Sequence, residues 1–289
     1  MKFLRYIFLT FTAFFCVWTS AQNLADDIPL PSVPADIRVP QDRADYIICH
    51  FWDNADTLSL YPRSTVEQAF ANFISVFPHA SDSAAVRAMR NLVDKASEAA
   101  QSAQLISEIA DTYLYDEESP VFSEDLYIVF LKEFIDSQNI EDIEKIRPRS
   151  RLDDCMKNRP GDPASDFAFV TRDGLETNLL DQIDTADDAS TLLIFYDPDC
   201  AHCRVTLNRI ISDPDLARRA ADKSLKIIAV YSGDDRQLWE ETASQLPESW
   251  TVGYDDGTLQ ENDIYIIRSL PSLYLISPSK QIITKNPKL

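Results

Sequence analysis

Thr191-Leu-Leu-Ile-Phe-Tyr-Asp-Pro-Asp-Cys200-Ala-His-Cys203 is the stretch on which the reading of the whole chain turns. Thr191 to Tyr196 are apolar or β-favouring and suit a strand buried on both faces, and Asp197-Pro198-Asp199 ends it. Past that turn, Cys203, Leu207, Ile210 and Ile211 recur at helical spacing, which predicts a helix with these residues on one face and Arg204, Asn208 and Arg209 towards water. Cys200 then stands at a helix N-terminus. Unpaired backbone N–H groups and the helix dipole favour negative charge there, so a thiol at that position yields its reactive thiolate near neutral pH.

The compartment decides how the cysteines are read. Met1 to Ala21 opens with Lys2 and Arg5, continues through the apolar run Ile7 to Trp18 and closes on Thr19-Ser20-Ala21, the pattern of a secretory signal peptide over 1–21. Its apolar core is shorter than the ~20 residues a spanning helix needs, and no later stretch could span. The mature chain is therefore expected to be exported, to the periplasm, without a transmembrane segment. Disulfides persist in such a compartment. With Cys16 removed, Cys49, Cys155, Cys200 and Cys203 remain, too few to staple a fold of this size. A bond between Cys200 and Cys203 closes so short a loop that it constrains little chain entropy, which favours redox chemistry over a structural staple.

A net charge of −20 argues against nucleic-acid or anionic-membrane partners. With 5 glycines, 16 prolines and 45% hydrophobic residues in 289, the chain is neither collagen-like nor disordered, and its length suits about two domains. Neither a cofactor nor a metal is expected, since Cys49, Cys155, His50 and His79 supply no second ligand pair to match Cys200 and Cys203.

The rest of the chain divides in two. Residues 22–41 hold Pro29, Pro31, Pro34 and Pro40 and read as an extended segment. Over 42–158 the apolar residues keep helical spacing: Ala44, Ile47, Ile48, Phe51 and Trp52; then Val66, Phe70, Phe73 and Val76 after a Ser64 or Thr65 cap; then Val86, Met89, Leu92 and Val93 after Ser81 or Ser83. Leu105 to Leu114 and a helix capped by Ser123, with Glu124 and Asp125 in its first turn, continue the pattern, and Asn139 to Met156 is also helical in type. This predicts an all-α N-terminal domain. Arg159-Pro-Gly-Asp-Pro163 marks a boundary, and over 159–289 strands and helices alternate, as in an α/β domain. The expected elements are strands at 167–170, 191–196, 226–231 and 250–254, helices at 200–211, 216–221, 236–246 and 259–267, and a final hairpin over 273–284.

Residues 160 to 289 resemble a thioredoxin-like domain of the exported thiol–disulfide oxidoreductases. The strand into Cys200-Ala-His-Cys203, the Ile227 to Tyr231 strand, and Ser269-Leu-Pro-Ser272 ahead of the final hairpin carry the resemblance, in that order. It implies that Cys200 is the nucleophile, Cys203 the resolving thiol, and Pro271 a cis proline packed beside them. It also implies protein thiols or disulfides, and a redox partner, as the reacting species. The helical half is similar to uncharacterised helical domains that precede such domains in exported bacterial proteins, and this implies no chemistry.

The departures from the family pattern lie close to the pair. Asp199 stands where a tryptophan is common, and His202 where a proline is common. A cationic or hydrogen-bonding His202 favours the Cys200 thiolate, while Asp197 and Asp199 oppose it. No acid lies within the strand, and the family's last helix is absent or very short, which exposes one sheet face unless the helical domain covers it. On the same sequence, the chain could instead be a non-catalytic protein- or ligand-binding module on a thioredoxin-like scaffold. Cys49 reads as a core or half-buried thiol, with pairing to Cys155 the lesser reading, His50 and His79 as surface or capping residues, and Asp116-Glu117-Glu118 and Asp234-Asp235 as solvated loops.

Export from an expressing cell is expected to leave a chain beginning at Gln22. Intact-mass measurement checks this, and an exported chain still carrying Met1 overturns it.

Overall fold

The computed structural model describes residues 27–183 and 188–287. The expected signal peptide over 1–21 and the start of the proline-rich segment lie outside the described residues.

Among the described residues, six α-helices form the N-terminal region: α1 (Pro40–Cys49), α2 (Arg63–Val76), α3 (Asp82–Ala96), α4 (Ala100–Ala110), α5 (Glu124–Asp136) and α6 (Ile146–Cys155). Their apolar stripes meet in one core in which Ile48, Phe70, Phe73, Leu92, Ile106 and Phe134 are fully buried. Ser81 caps α3 by accepting from the Ala84 N–H, and Ser123 caps α5 by accepting from the Leu126 N–H, as their positions predict. Neither Ser64 nor Thr65 caps α2. That helix starts at Arg63, directly after Pro62, whose fixed φ already suits a helix start. Val86, expected in the core, is 37% exposed, because Ala84, Ala88 and Met89 take the inward positions of α3.

The C-terminal region is a seven-stranded mixed sheet in the order β2-β1-β5-β4-β3-β6-β7. Its strands are β1 (Ala168–Thr171), β2 (Glu176–Asn178), β3 (Ser190–Tyr196), β4 (Leu225–Tyr231), β5 (Thr251–Tyr254), β6 (Ser272–Ile276) and β7 (Ile282–Lys285). Strands β3, β4 and β5 run parallel, and β6 returns antiparallel to β3. Helices α7 (Ala201–Ser212), α8 (Pro214–Ala221) and α9 (Arg236–Thr242) supply the crossovers. An all-α region followed by this α/β, thioredoxin-like sheet is the architecture of the chain.

Alternation along β3 serves two cores. Leu192, Ile194 and Tyr196 pack with Cys203, Leu207 and Ile210 of α7, while Leu193 and Phe195 pack with Phe167, Tyr265 and Tyr274 on the other face. Ile211, expected on the buried stripe of α7, is 38% exposed, since Leu207 and Ile210 already fill the contact with the sheet. The helix expected over 259–267 is a single turn, Thr258–Glu261. Asp255 caps it by accepting from the Gly257 and Leu259 N–H groups, and left-handed Asp263, at φ 47°, stops it. The boundary segment is fastened to the final hairpin: Gly161 N–H donates to Ile282 O at 2.7 Å and Ile282 N–H to Asp162 O at 2.8 Å. Gly161 sits there at φ 93°, which an L side chain rarely adopts. Among the described residues, no helix is long and apolar enough to cross a membrane.

Gly253 lies within β5, where an added Cβ would come within 2.3 Å of the Phe169 ring. Gly253→Ala is expected to destabilise the fold by about 1–3 kcal/mol, the usual cost of overpacking, read as a lower urea midpoint at unchanged slope. An unchanged midpoint would mean that the ring moves aside freely.

Candidate active site

Strand pairing assembles the site. Tyr196 at the end of β3 is opposite Tyr231 of β4, and Phe195 is opposite Ser272 of β6, so the turn after β3 and the loop before β6 emerge at the same end of the sheet. The first carries Asp197 to Cys203. The second carries Arg268, Ser269, Leu270 and Pro271, and the Leu270–Pro271 bond is cis, as the resemblance implies.

Cys200 is the N-cap residue of α7, half-buried, and its sulfur accepts from the Cys203 N–H at 3.3 Å. Its own thiol donates to the Leu270 carbonyl at 3.7 Å, which ties the two loops together. Cys203 is fully buried beneath it and accepts from the Asp197 N–H at 3.5 Å. Both cysteines are free thiols here, as are Cys49 and Cys155.

These environments separate the two thiols. Cys200 is held below the usual thiol range, chiefly by the Cys203 N–H, with the Cys203 thiol and the His202 N–H also donating to it, against partial desolvation and the charge of Asp197. Burial pushes Cys203 up to about 12, helped by its hydrogen bond to Cys200. The contest between His202 and the nearby acids thus resolves downwards for Cys200. What His202 adds in this geometry is its backbone N–H, while its exposed side chain lines a cleft beside the pair. Arg204 steadies the preceding turn by donating to Pro198 O at 3.1 Å and Asp199 O at 3.2 Å.

The cleft has a volume of ≈ 870 Å³ and runs from His202 and Pro271 past Arg209 and Leu273 to Lys285, with Phe122 and neighbouring residues of the helical region as its far wall. Thr206, Arg209 and Ile210 of α7, Leu273 of β6 and Thr284 and Lys285 of β7 line it on the α/β side, and Glu117, Glu118 and Phe122 to Asp125 of the helical region on the other.

Two carboxylates from the helical region reach the loop that holds Pro271. Glu117 accepts from the Ser269 hydroxyl and, at 2.8 Å, from the Asn286 amide. Glu124 accepts from Arg268 at 2.6 Å and pairs with Lys285 at 3.1 Å. Arg268 also lies 4.0 Å over the Tyr115 ring, and Arg151 lies over the same ring at 4.3 Å. Sequence reasoning took Glu117 for a solvated residue and Glu124 only for a first-turn acid. Their partners lie 152 and 144 residues away, and no local pattern points to them. Asp235, in the other acidic cluster, caps α9 through the Leu238 N–H.

The chain is similar to a thioredoxin-like protein from Bacteroides caccae, at 28% identity and a TM-score of 0.81, over 90% of this chain and 94% of the other. A conserved protein of unknown function from Bacteroides fragilis matches 45% of this chain and 93% of its own at 29% identity, with a TM-score of 0.42. The thioredoxin domain of a thiol-disulfide oxidoreductase from Bacteroides vulgatus matches 45% of this chain and 89% of its own at 17% identity and a TM-score of 0.39. The last two scores are too low to add to the first. No curated protein matches the chain. Residues 12–158 match the model of the family described as a domain of unknown function, DUF5106, and the chain belongs to that family.

Proposed function

We propose that this protein is an exported thiol–disulfide oxidoreductase whose reacting groups are Cys200 and Cys203. The observation that carries the reading is the asymmetry of the pair. One thiol is half-buried and lowered at a helix N-terminus, and the other is buried directly beneath it and raised. A nucleophile must be accessible and ionised, whereas a resolving thiol must stay protonated until a mixed disulfide forms above it.

The Cys200 thiolate attacks one sulfur of a substrate disulfide, forming a mixed disulfide and releasing the other sulfur as a thiolate. Cys203 then gives up its proton, which the departing thiolate takes, and attacks the Cys200 sulfur. The Cys200–Cys203 disulfide forms and the second substrate thiol leaves. Two electrons pass from the protein to the substrate, and a redox partner restores the dithiol. Run backwards, the same steps oxidise a substrate dithiol. His202 lies between the two cysteines in the chain, and Pro271 follows Leu270, whose carbonyl meets the Cys200 thiol. Protein thiols or disulfides are the reacting class, the chemistry that thiol exchange at a helix N-terminus serves.

Purified protein is expected to catalyse exchange with a model disulfide protein. Cys200→Ser should abolish it, and Cys203→Ser should accumulate a mixed disulfide at Cys200, seen as a mass adduct that reductant removes. Wild type and Cys200→Ser equally inert with every reductant tried would sink the reading.

The pH dependence follows from the lowered thiol. In Cys203→Ser, alkylation of Cys200 by iodoacetamide should rise with pH and level off below the ~8.5 midpoint of a free cysteine. A midpoint at or above that value would favour a scaffold without redox activity.

A further inference from the structure

We infer that the helical region acts on the site as a clamp, with Glu117 and Glu124 as positioning residues that hold the Pro271 loop, and so the Leu270 carbonyl, against Cys200; this rests on the redox reading of the pair.

The geometry is paired. Each carboxylate joins one residue of the loop before β6 to one residue at the end of β7: Glu124 takes Arg268 and Lys285, and Glu117 takes Ser269 and Asn286. Asn286 in turn accepts from the Leu273 N–H at 2.9 Å and donates its own N–H to Leu273 O at 2.7 Å. The segment 268–273 is therefore held on both sides of Pro271. Leu270, the next residue after Ser269, presents its carbonyl to the Cys200 thiol. A path of bonded groups runs from Glu117 through Ser269 and Leu270 to the sulfur.

Its burial sets this contact apart from ordinary surface pairing. The side chains of Arg268, Glu124 and Lys285 are 13%, 17% and 17% exposed, so the charges are shielded from water and depend on one another. A carboxylate is required at 117 because both of its oxygens accept, one from Ser269 and one from Asn286. An amide offers a single acceptor and turns a donor towards the other partner.

The chemical effect has a definite sign. A carbonyl held against a thiol accepts its proton in a hydrogen bond and favours the neutral form, opposing the N–H groups of Cys203 and His202 that favour the thiolate. The clamp thus restrains the nucleophile. A substrate backbone that engages the loop, or movement of the helical region, removes the restraint and leaves the sulfur to the donors of α7. The domain of unknown function is by this inference a regulator of the thiol's reactivity.

Full-length Cys203→Ser protein tests the clamp by iodoacetamide alkylation of Cys200 from pH 5 to 10, with no disulfide substrate present. Glu117→Ala and Glu124→Ala are expected to move the midpoint to lower pH and to speed alkylation below it by about two- to fivefold, the weight of one weak hydrogen bond. The plateau at high pH should not change. Ser269→Ala should reproduce Glu117→Ala, and Glu117→Gln supplies a variant of native shape if Glu117→Ala does not fold. Arg90→Ala breaks an ion pair with Glu133 elsewhere in the helical region and should leave the profile unchanged. Folded Glu117 and Glu124 variants with the wild-type profile overturn the clamp, as does an equal shift in Arg90→Ala. A shifted profile in a protein that exchanges no disulfide supports the clamp and overturns only the oxidoreductase reading.

Discussion

The register of β3 against β6 is the constraint on which the rest of the site depends. With Phe195 opposite Ser272, an antiparallel pair must bring the end of one strand beside the start of the other. The cysteine turn and the Pro271 loop, some seventy residues apart in sequence, are thereby fixed within hydrogen-bond reach. A slip of one residue would turn Phe195 and Leu193 into the opposite core, so burial on both faces enforces the register. Precision at the sulfur atoms is inherited from packing in the sheet.

The helical region adds a different kind of constraint. Exposed pairs within it, such as Arg63 with Glu67, are worth about 0–1 kcal/mol, because water competes for both partners. Removing one partner of a shielded pair costs about 3–5 kcal/mol, since the other charge is left without compensation. Glu124 with Arg268 is nearer the second case, with the Tyr115 ring covering the guanidinium. The fastening of Gly161 and Asp162 acts at the start of β7, on Ile282. The carboxylate contacts act at its other end, on Lys285 and Asn286, and on the loop before β6.

His202, beside Cys203 in the chain, and Pro271, beside the Leu270 carbonyl that Cys200 meets, both line the cleft. Its walls belong to both regions. In the proposed clamp, the helical region reaches the thiol through the short bonded path from Glu117 by way of Ser269 and Leu270 to Cys200.

Much of this was legible in the residues. The unbroken burial of β3 on both faces, helical spacing after Cys200, and the caps Ser81 and Ser123 are local properties, and local sequence determined them. So did the placement of Cys200 at a helix N-terminus. The shorter turn at Thr258–Glu261 was not legible, because it depends on a carboxylate cap and a left-handed Asp263 that override apolar spacing. Nor were Glu117 and Glu124, whose acidic neighbourhoods look like solvated surface until their partners arrive from over 140 residues away. The sequence by itself determined which thiol stands at a helix start and which lies one turn inside. Only the tertiary structure decided how far burial separates their protonation, and that the Pro271 loop is held from the helical side, because desolvation and long-range hydrogen bonds exist only once the two regions pack together.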